Sequence, residues 1–255
     1  MRLAARSEIT TRVRPDAKSR LREYFGSQGK VYATPQAFVV DYLEDGARID
    51  SHFHDVDQFQ VFVRGDGKIG RDEVRPITFH YADAYTPYGP IVANQEGIAF
   101  FTLRNVSAGG AYMMPAGRAY QKAPAGRNVA RRFELGRIPG PGKTATESLI
   151  APEPDGMLAV GLRLGQNART RGPGPGSGGG QYFLVCSGAL IHQGKELPPE
   201  SLVHLEPADP ALPLHAGAQG AEVLMMQYPR PSERLGSDPA KLKGRDPERF
   251  EAIKR

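Results

Sequence analysis

The amino-acid sequence predicts an all-β protein in which one β unit occurs twice. Three observations point there. Short apolar runs recur with strand-like spacing, 30 glycines and 22 prolines punctuate them, and a Gln-aromatic-apolar-Gly segment appears in both halves. A chain of 255 residues is long enough to bury one large β core or two small ones. Its 40% hydrophobic and 24% charged residues belong to an ordered globular protein.

Residues 1–30 are polar and basic and read as an N-terminal arm, with a short helix expected from Asp16 to Tyr24. Residues 31–110 read as the first β domain. Its strands are expected at 37–43, 47–54, 58–63, 77–81 and 98–104, with a Pro/Gly corner at 86–90. Residues 111–156 read as a connector, rich in Gly, Pro and basic residues with few periodic apolar positions. Within it, the segment from Gly140 to Thr144 resembles a phosphate loop only superficially. The position that needs the first glycine is Arg137, and no helical pattern follows. Residues 157–230 read as the second β domain, with strands at 157–164, 181–186, 201–205 and 222–228, and 231–255 as a charged tail.

The repeat sets the second domain against the first. Residues 58–65 (QFQVFVRG) match 181–188 (QYFLVCSG), and 97–104 correspond to about 221–228. Where the first copy carries His52 and His54, the second carries Arg171 and Pro173, followed by a glycine-rich loop. Any chemistry of those histidines therefore belongs to the first domain. His192 and His204 have no partners by spacing.

The formal charge of +5 is spread over the arm, the region of Arg127, Arg131 and Arg132, and the tail, with no basic face carrying interleaved aromatics. Nucleic-acid binding is not expected. No stretch is apolar and long enough for a membrane span or a secretion signal, so no membrane partner and a cytoplasmic location are expected. The lone Cys186 excludes an internal disulfide framework, and its apolar surroundings suggest a small buried hydrophobe.

The chemistry-bearing constellation is His52, His54 and Gln58. Residues two apart on a strand share a face, so both imidazoles aim one way, and Gln58 opens the next strand after a short turn. Two imidazoles and a third ligand across a hairpin can hold Zn, Fe, Ni, Cu or Mn; two polar residues on a surface strand give the same spacing. Gln60 and Phe62 share the parity of Gln58 and should line the same interior, together with Tyr88. Asp55 and Asp57, in the turn, are expected to be exposed. His80 could reach inward instead of its neighbours Phe79 and Tyr81.

These residues resemble the cupin superfamily. Gly46, His52, His54 and Gly65 fall at the offsets of the first cupin motif, with Gln58 where the family has glutamate. The second motif is partly present in Ala82-Asp83 and Pro87-Tyr88-Gly89; its histidine would fall at Val92, while His215 lies near that position in the second half. The resemblance implies two fused cupin-type jelly-roll β-barrels with short peripheral helices, a bicupin. It also implies a divalent transition metal (Fe, Ni, Mn or Zn) on His52, His54 and Gln58, a small-molecule substrate, and a homodimer. Two functions follow: a metal-dependent dioxygenase of a small organic molecule, or a non-catalytic small-molecule binder or sensor.

Overall fold

The structure, a computed structural model, describes residues 1–15, 17–27, 35–233, 236 and 237. In chain order its strands are β1 (Arg2–Ala4), β2 (Thr11–Val13), β3 (Ser19–Phe25), β4 (Gln36–Tyr42), β5 (Arg48–Ile49) and β6 (His52–Phe53). Next come β7 (Gln58–Ile69), β8 (Asp72–Val74), β9 (Thr78–Ala82), β10 (Ile91–Arg104), β11 (Tyr112–Met113), β12 (Asn128–Arg132) and β13 (Thr144–Ile150). The last are β14 (Leu158–Leu164), β15 (Arg169–Arg171), β16 (Gln181–His192), β17 (Lys195–Leu197), β18 (Leu202–Leu205) and β19 (Pro213–Gln227). Among the described residues the helices are three short 3₁₀ segments, Arg6–Glu8, Ala116–Tyr120 and Pro175–Ser177. No helix among the described residues is long and apolar enough to cross a membrane.

The chain divides into two compact units, one formed by Thr10–Arg131 with Pro231–Arg255, the other by Met1–Ile9 with Arg132–Arg230. In the first unit a sheet runs β12-β9-β7-β10-β4-β3-β2, with β5 on β10, β8 on β7, and β6 paired separately with β11. In the second, the order is β1-β18-β16-β19-β14-β13, with β15 on β19 and β17 on β16. Each order has two ends, so among the described residues neither sheet closes into a hydrogen-bonded ring. The expected barrels are thus present as jelly-roll sheets rather than as closed cylinders.

Two local expectations are corrected. The described part of the segment expected as a helix, up to Tyr24, holds β3, paired with β2 on one side and β4 on the other. A sheet partner on each side outweighs the weak helical preference of a short charged segment. Residues 2–4, expected as part of a solvated arm, are a strand paired antiparallel with β18. The tail beyond Ser237 lies outside the described residues.

The repeat is visible in the register. Gly65 faces Ile98 across β7 and β10, and Gly188 faces Ala221 across β16 and β19. Both glycines have positive φ, and a Cβ on either would stand 2.1 Å from a carbonyl oxygen, that of Gly97 or Gly220. That approach is the physical reason for glycine at both places. The register also shifts the expected correspondence by one residue. Leu103 faces Phe59 and Met226 faces Tyr182, so Arg104 corresponds to Gln227. Each unit has its own apolar core, around Phe62, Ile91, Ile98 and Phe100 in the first and Phe183, Val203, Val223 and Met225 in the second.

Candidate functional site

The first unit holds a partly open cavity of about 510 Å³. Strand alternation decides what lines it. β4 presents Gln36, Phe38, Val40 and Tyr42 in succession, and β10 presents Phe100, Thr102 and Arg104. The pairing aligns them in layers: Gln36 with Arg104, Phe38 with Thr102, Val40 with Phe100. On the other side of β10, Gln60 faces Thr102 and Phe62 faces Phe100. Ile49, Ile91, Arg14, His52, His54 and Tyr88 complete the part of the wall that carries side-chain chemistry.

His52 lies on β6, held in place by reciprocal backbone bonds with Tyr88 of 3.1 and 3.0 Å and by the pairing of β6 with β11. Its Nδ1 lies 2.7 Å from the Asp50 carbonyl oxygen, and Nδ1 of His54 lies 2.6 Å from that of Gly110. A carbonyl only accepts, so each ring carries its proton on Nδ1 and leaves Nε2 as a lone-pair nitrogen. The two rings meet edge to face at 5.2 Å, and Tyr88 packs 4.7 Å from His52. Burial pushes both pKa values down, most strongly for His54, and the Arg104 charge pushes them further down. Both imidazoles are neutral at neutral pH.

Arg104 organises the polar end. It is buried, and its Nε donates to Gln58 Oε1 at 2.8 Å and its Nη1 to Gln36 Oε1 at 2.8 Å. Its Nη2 stands 3.1 Å from His54 Nε2, which accepts with its lone pair. The guanidinium carbon lies 5.8 Å from the centre of the Phe38 ring. The amide nitrogen of Gln58 donates to the Tyr88 hydroxyl at 2.7 Å, so Gln58 uses both ends of its side chain.

The sequence-predicted residues therefore divide. His52, His54, Gln60 and Tyr88 lie on the cavity wall; Gln58 stands behind it in hydrogen-bond contact with Arg104 and Tyr88. Phe62 packs instead into the apolar cluster with Ile91, Ile98 and Phe100, its ring 5.3 Å from that of Phe100. His80 is buried between Gln60, at 3.2 Å, and Asn128, at 2.8 Å, with its pKa lowered to about 4 by desolvation. A neutral ring offers one N–H, so one of those amides must turn its NH₂ toward it.

Asp55 and Asp57, expected in solvent, are buried. Asp55 accepts the Gly109 N–H at 2.9 Å and Asp57 the Ala84 N–H at 2.8 Å, which pins the turn. Val92 is half-buried on β10 and is absent from the cavity wall, which is formed there by Ile91. In the second unit Gln181 donates to Gln227 at 2.7 Å, an amide pair where the first unit has Gln58 and Arg104.

Arg104, Gln36 and Arg14 were not singled out from sequence. The available signal was Arg104 itself: it continues the inward phase of Phe100 and Thr102, and a charge on a buried face is uncommon.

Does a metal fit this donor set? The histidine tautomers suit one, because Nδ1–H bonds to backbone leave both Nε2 atoms as potential ligands. The remainder does not. The lone pair of His54 Nε2 and one of the two on Gln58 Oε1 already accept from a guanidinium, and a fixed cation beside them repels a second cation. Among the described residues no group of three or more His, Cys, Asp or Glu is arranged to hold a metal ion. In this arrangement the site does not fit a divalent metal.

No protein-family model and no curated protein matches the sequence. Solved structures match over most of the chain. The bacterial pirin YhhW of Escherichia coli, in complex with nickel(II), superposes with a TM-score of 0.59 at 12% identity, covering 90% of this chain and 99% of its own. Oxalate decarboxylase of Lactobacillus farciminis, a formate complex, gives 0.57 at 11% identity, with 98% and 96% covered. Quercetin 2,3-dioxygenase of Acinetobacter baumannii gives 0.52 at 13%, with 87% and 77% covered. At these identities the likeness establishes architecture. The chain has the cupin fold, as its first motif implied. Its solved neighbours are a pirin, a dioxygenase and a decarboxylase, so the fold they share does not select a reaction.

Proposed function

We propose that this protein binds a small organic molecule in the first unit's cavity and uses Arg104 as the fixed cation of the site. The observation that carries the reading is the guanidinium bonded to both His54 Nε2 and Gln58 Oε1, on the wall of a cavity of about 510 Å³. Cavities of this size, apolar with a few convergent polar groups, suit small ligands. The site binds and orients; its histidines are neutral acceptors and its arginine a permanent donor. The solved neighbours named for a formate complex and for a quercetin dioxygenase are consistent with small-molecule binding on this fold. The proposal includes a homodimer in the cytoplasm, with light scattering as the check on assembly.

The test is elemental analysis of protein purified without a metal-affinity tag, run beside a thermal-shift screen of small organic molecules. The reading expects no stoichiometric metal and ligand-dependent stabilisation, since a ligand bound only by the native state raises the melting temperature. A second reading, a metal-dependent dioxygenase, is favoured by the Nδ1–H bonds of His52 and His54. It requires the guanidinium to leave the two acceptors. Stoichiometric Fe, Ni, Mn or Zn that disappears in a His52→Ala variant would establish that reading in place of the first.

A further inference from the structure

The cavity is graded. At the Arg104 layer its wall carries Gln36, Arg104 and His54; the next layer has Phe38, Thr102 and Gln60; the far layer has Val40 and Phe100, capped by Tyr42. Tyr42 and Phe100 stack at 6.2 Å, and Ile49 and Ile91 extend the apolar end. Arg104 is four positions from Phe100, about 13 Å along a strand. Charge does not follow the same grading: Arg104 stands in the polar layer, whereas the Arg14 backbone bonds to Ser19, the residue opposite Tyr42. The charged side chains on the wall are Arg104 and Arg14, and no Asp or Glu lines the cavity among the described residues.

From this grading we infer that the ligand is an organic monocarboxylate with an apolar body, its carboxylate at Arg104 and its body along Phe38, Val40 and Phe100. The inference rests on the small-molecule reading above and adds the ligand's chemical class. A guanidinium suits a carboxylate through charge-assisted hydrogen bonds, and its contacts with Gln58, Gln36 and His54 hold the plane ready for it. A ligand without an apolar body would leave Val40, Phe100 and Ile91 facing water. A cationic ligand would meet Arg104 and Arg14, and no carboxylate among the described residues lines the wall to attract it.

The experiment titrates the full-length protein with matched probes by calorimetry. These are phenylacetate, octanoate and acetate, the neutral amides of the first two, and phenethylamine. The inference expects both acids to bind roughly 10- to 100-fold more tightly than their amides, the range a charge-assisted hydrogen bond supports, with the amine weakest. In Arg104→Gln the acid and amide affinities should converge while the amides still bind. Val40→Phe, which keeps Arg104 and narrows the apolar end, should weaken octanoate more than acetate. It serves as the independent variant if Arg104→Gln fails to fold. Amides equal to acids in the native protein, or an amine that binds best, would overturn the carboxylate assignment while leaving a small-molecule site intact. Probes that neither bind nor stabilise, alongside stoichiometric metal, would overturn the underlying reading as well.

Discussion

Replacing Arg104 by methionine removes the cation and keeps much of the side-chain volume. For a divalent ion within about 4 Å of the guanidinium, the repulsion is roughly 2 kcal/mol at the dielectric constant of water and roughly 8 kcal/mol at an effective value near 20. The smaller figure alone corresponds to about 30-fold in affinity. Arg104→Met also returns the lone pairs of His54 Nε2 and Gln58 Oε1, beside a His52 whose tautomer already suits a metal. The variant should therefore acquire affinity for Ni²⁺ or Zn²⁺ that exceeds the native protein's by at least about 30-fold. Its stability should fall by about 1–3 kcal/mol, because cavity water replaces the lost donors only in part. Calorimetric titration of untagged protein with each ion, with denaturant melts as the control for folding, measures both effects. Equal metal affinity in the two proteins, or tighter binding by the native one, would refute the argument that the guanidinium excludes the ion.

Other consequences are local. His204 is buried and held neutral, its pKa pushed down to about 3 first by desolvation and then by Arg2 and the N-terminal amine. The unfolded chain takes up a proton near pH 6.5 that the native state refuses until about pH 3, so this stabilisation is complete above pH 6.5 and is lost as pH falls through that window. At pH 5 this loss is about 2 kcal/mol; His52, His54 and His80, also pushed down by burial, lose stability over the same window, so between pH 7.5 and pH 5 urea melts should show a loss about 2 kcal/mol smaller in His204→Asn than in the native protein. An identical loss in both would remove His204 as its source. Gly65→Ala and Gly188→Ala should each cost roughly 3 kcal/mol or more, since the new methyl would meet a carbonyl at 2.1 Å and φ is positive. A near-native melting temperature for either would contradict that. Cys186 is half-buried, and desolvation pushes its thiol up to about 12, so a disulfide-exchange reagent at pH 8 should label the native protein much more slowly than the denatured one; equal rates would contradict the shift.

Much of the fold was legible because its signals are local. Strand alternation, glycine punctuation and the paired segments ending at Gly65 and Gly188 reported the β units directly, and both glycines turn out to face a carbonyl. β3 was misread because its partners β2 and β4 are tertiary, and a short charged segment carries no periodic record of them. In the site, the His-x-His spacing identified two rings that share the cavity wall. The spacing could not reveal Arg104, distant in sequence, arriving between them and Gln58. Nor did parity suffice for Phe62: it gave the side of the sheet, while the core that fills around Phe100 decided which inward residues keep an open face. Asp55 and Asp57 were misplaced because backbone N–H groups from Gly109 and Ala84 supply the compensation that lets a turn carboxylate be buried.

The central claim is that a side-chain cation stands where the motif's ligands converge. A crystal of untagged protein soaked in nickel and measured at the nickel absorption edge tests it most directly. The account predicts guanidinium density joining His54 and Gln58 and no anomalous peak between the two imidazoles. An anomalous peak bonded to Nε2 of both His52 and His54, with Arg104 turned away, would contradict it.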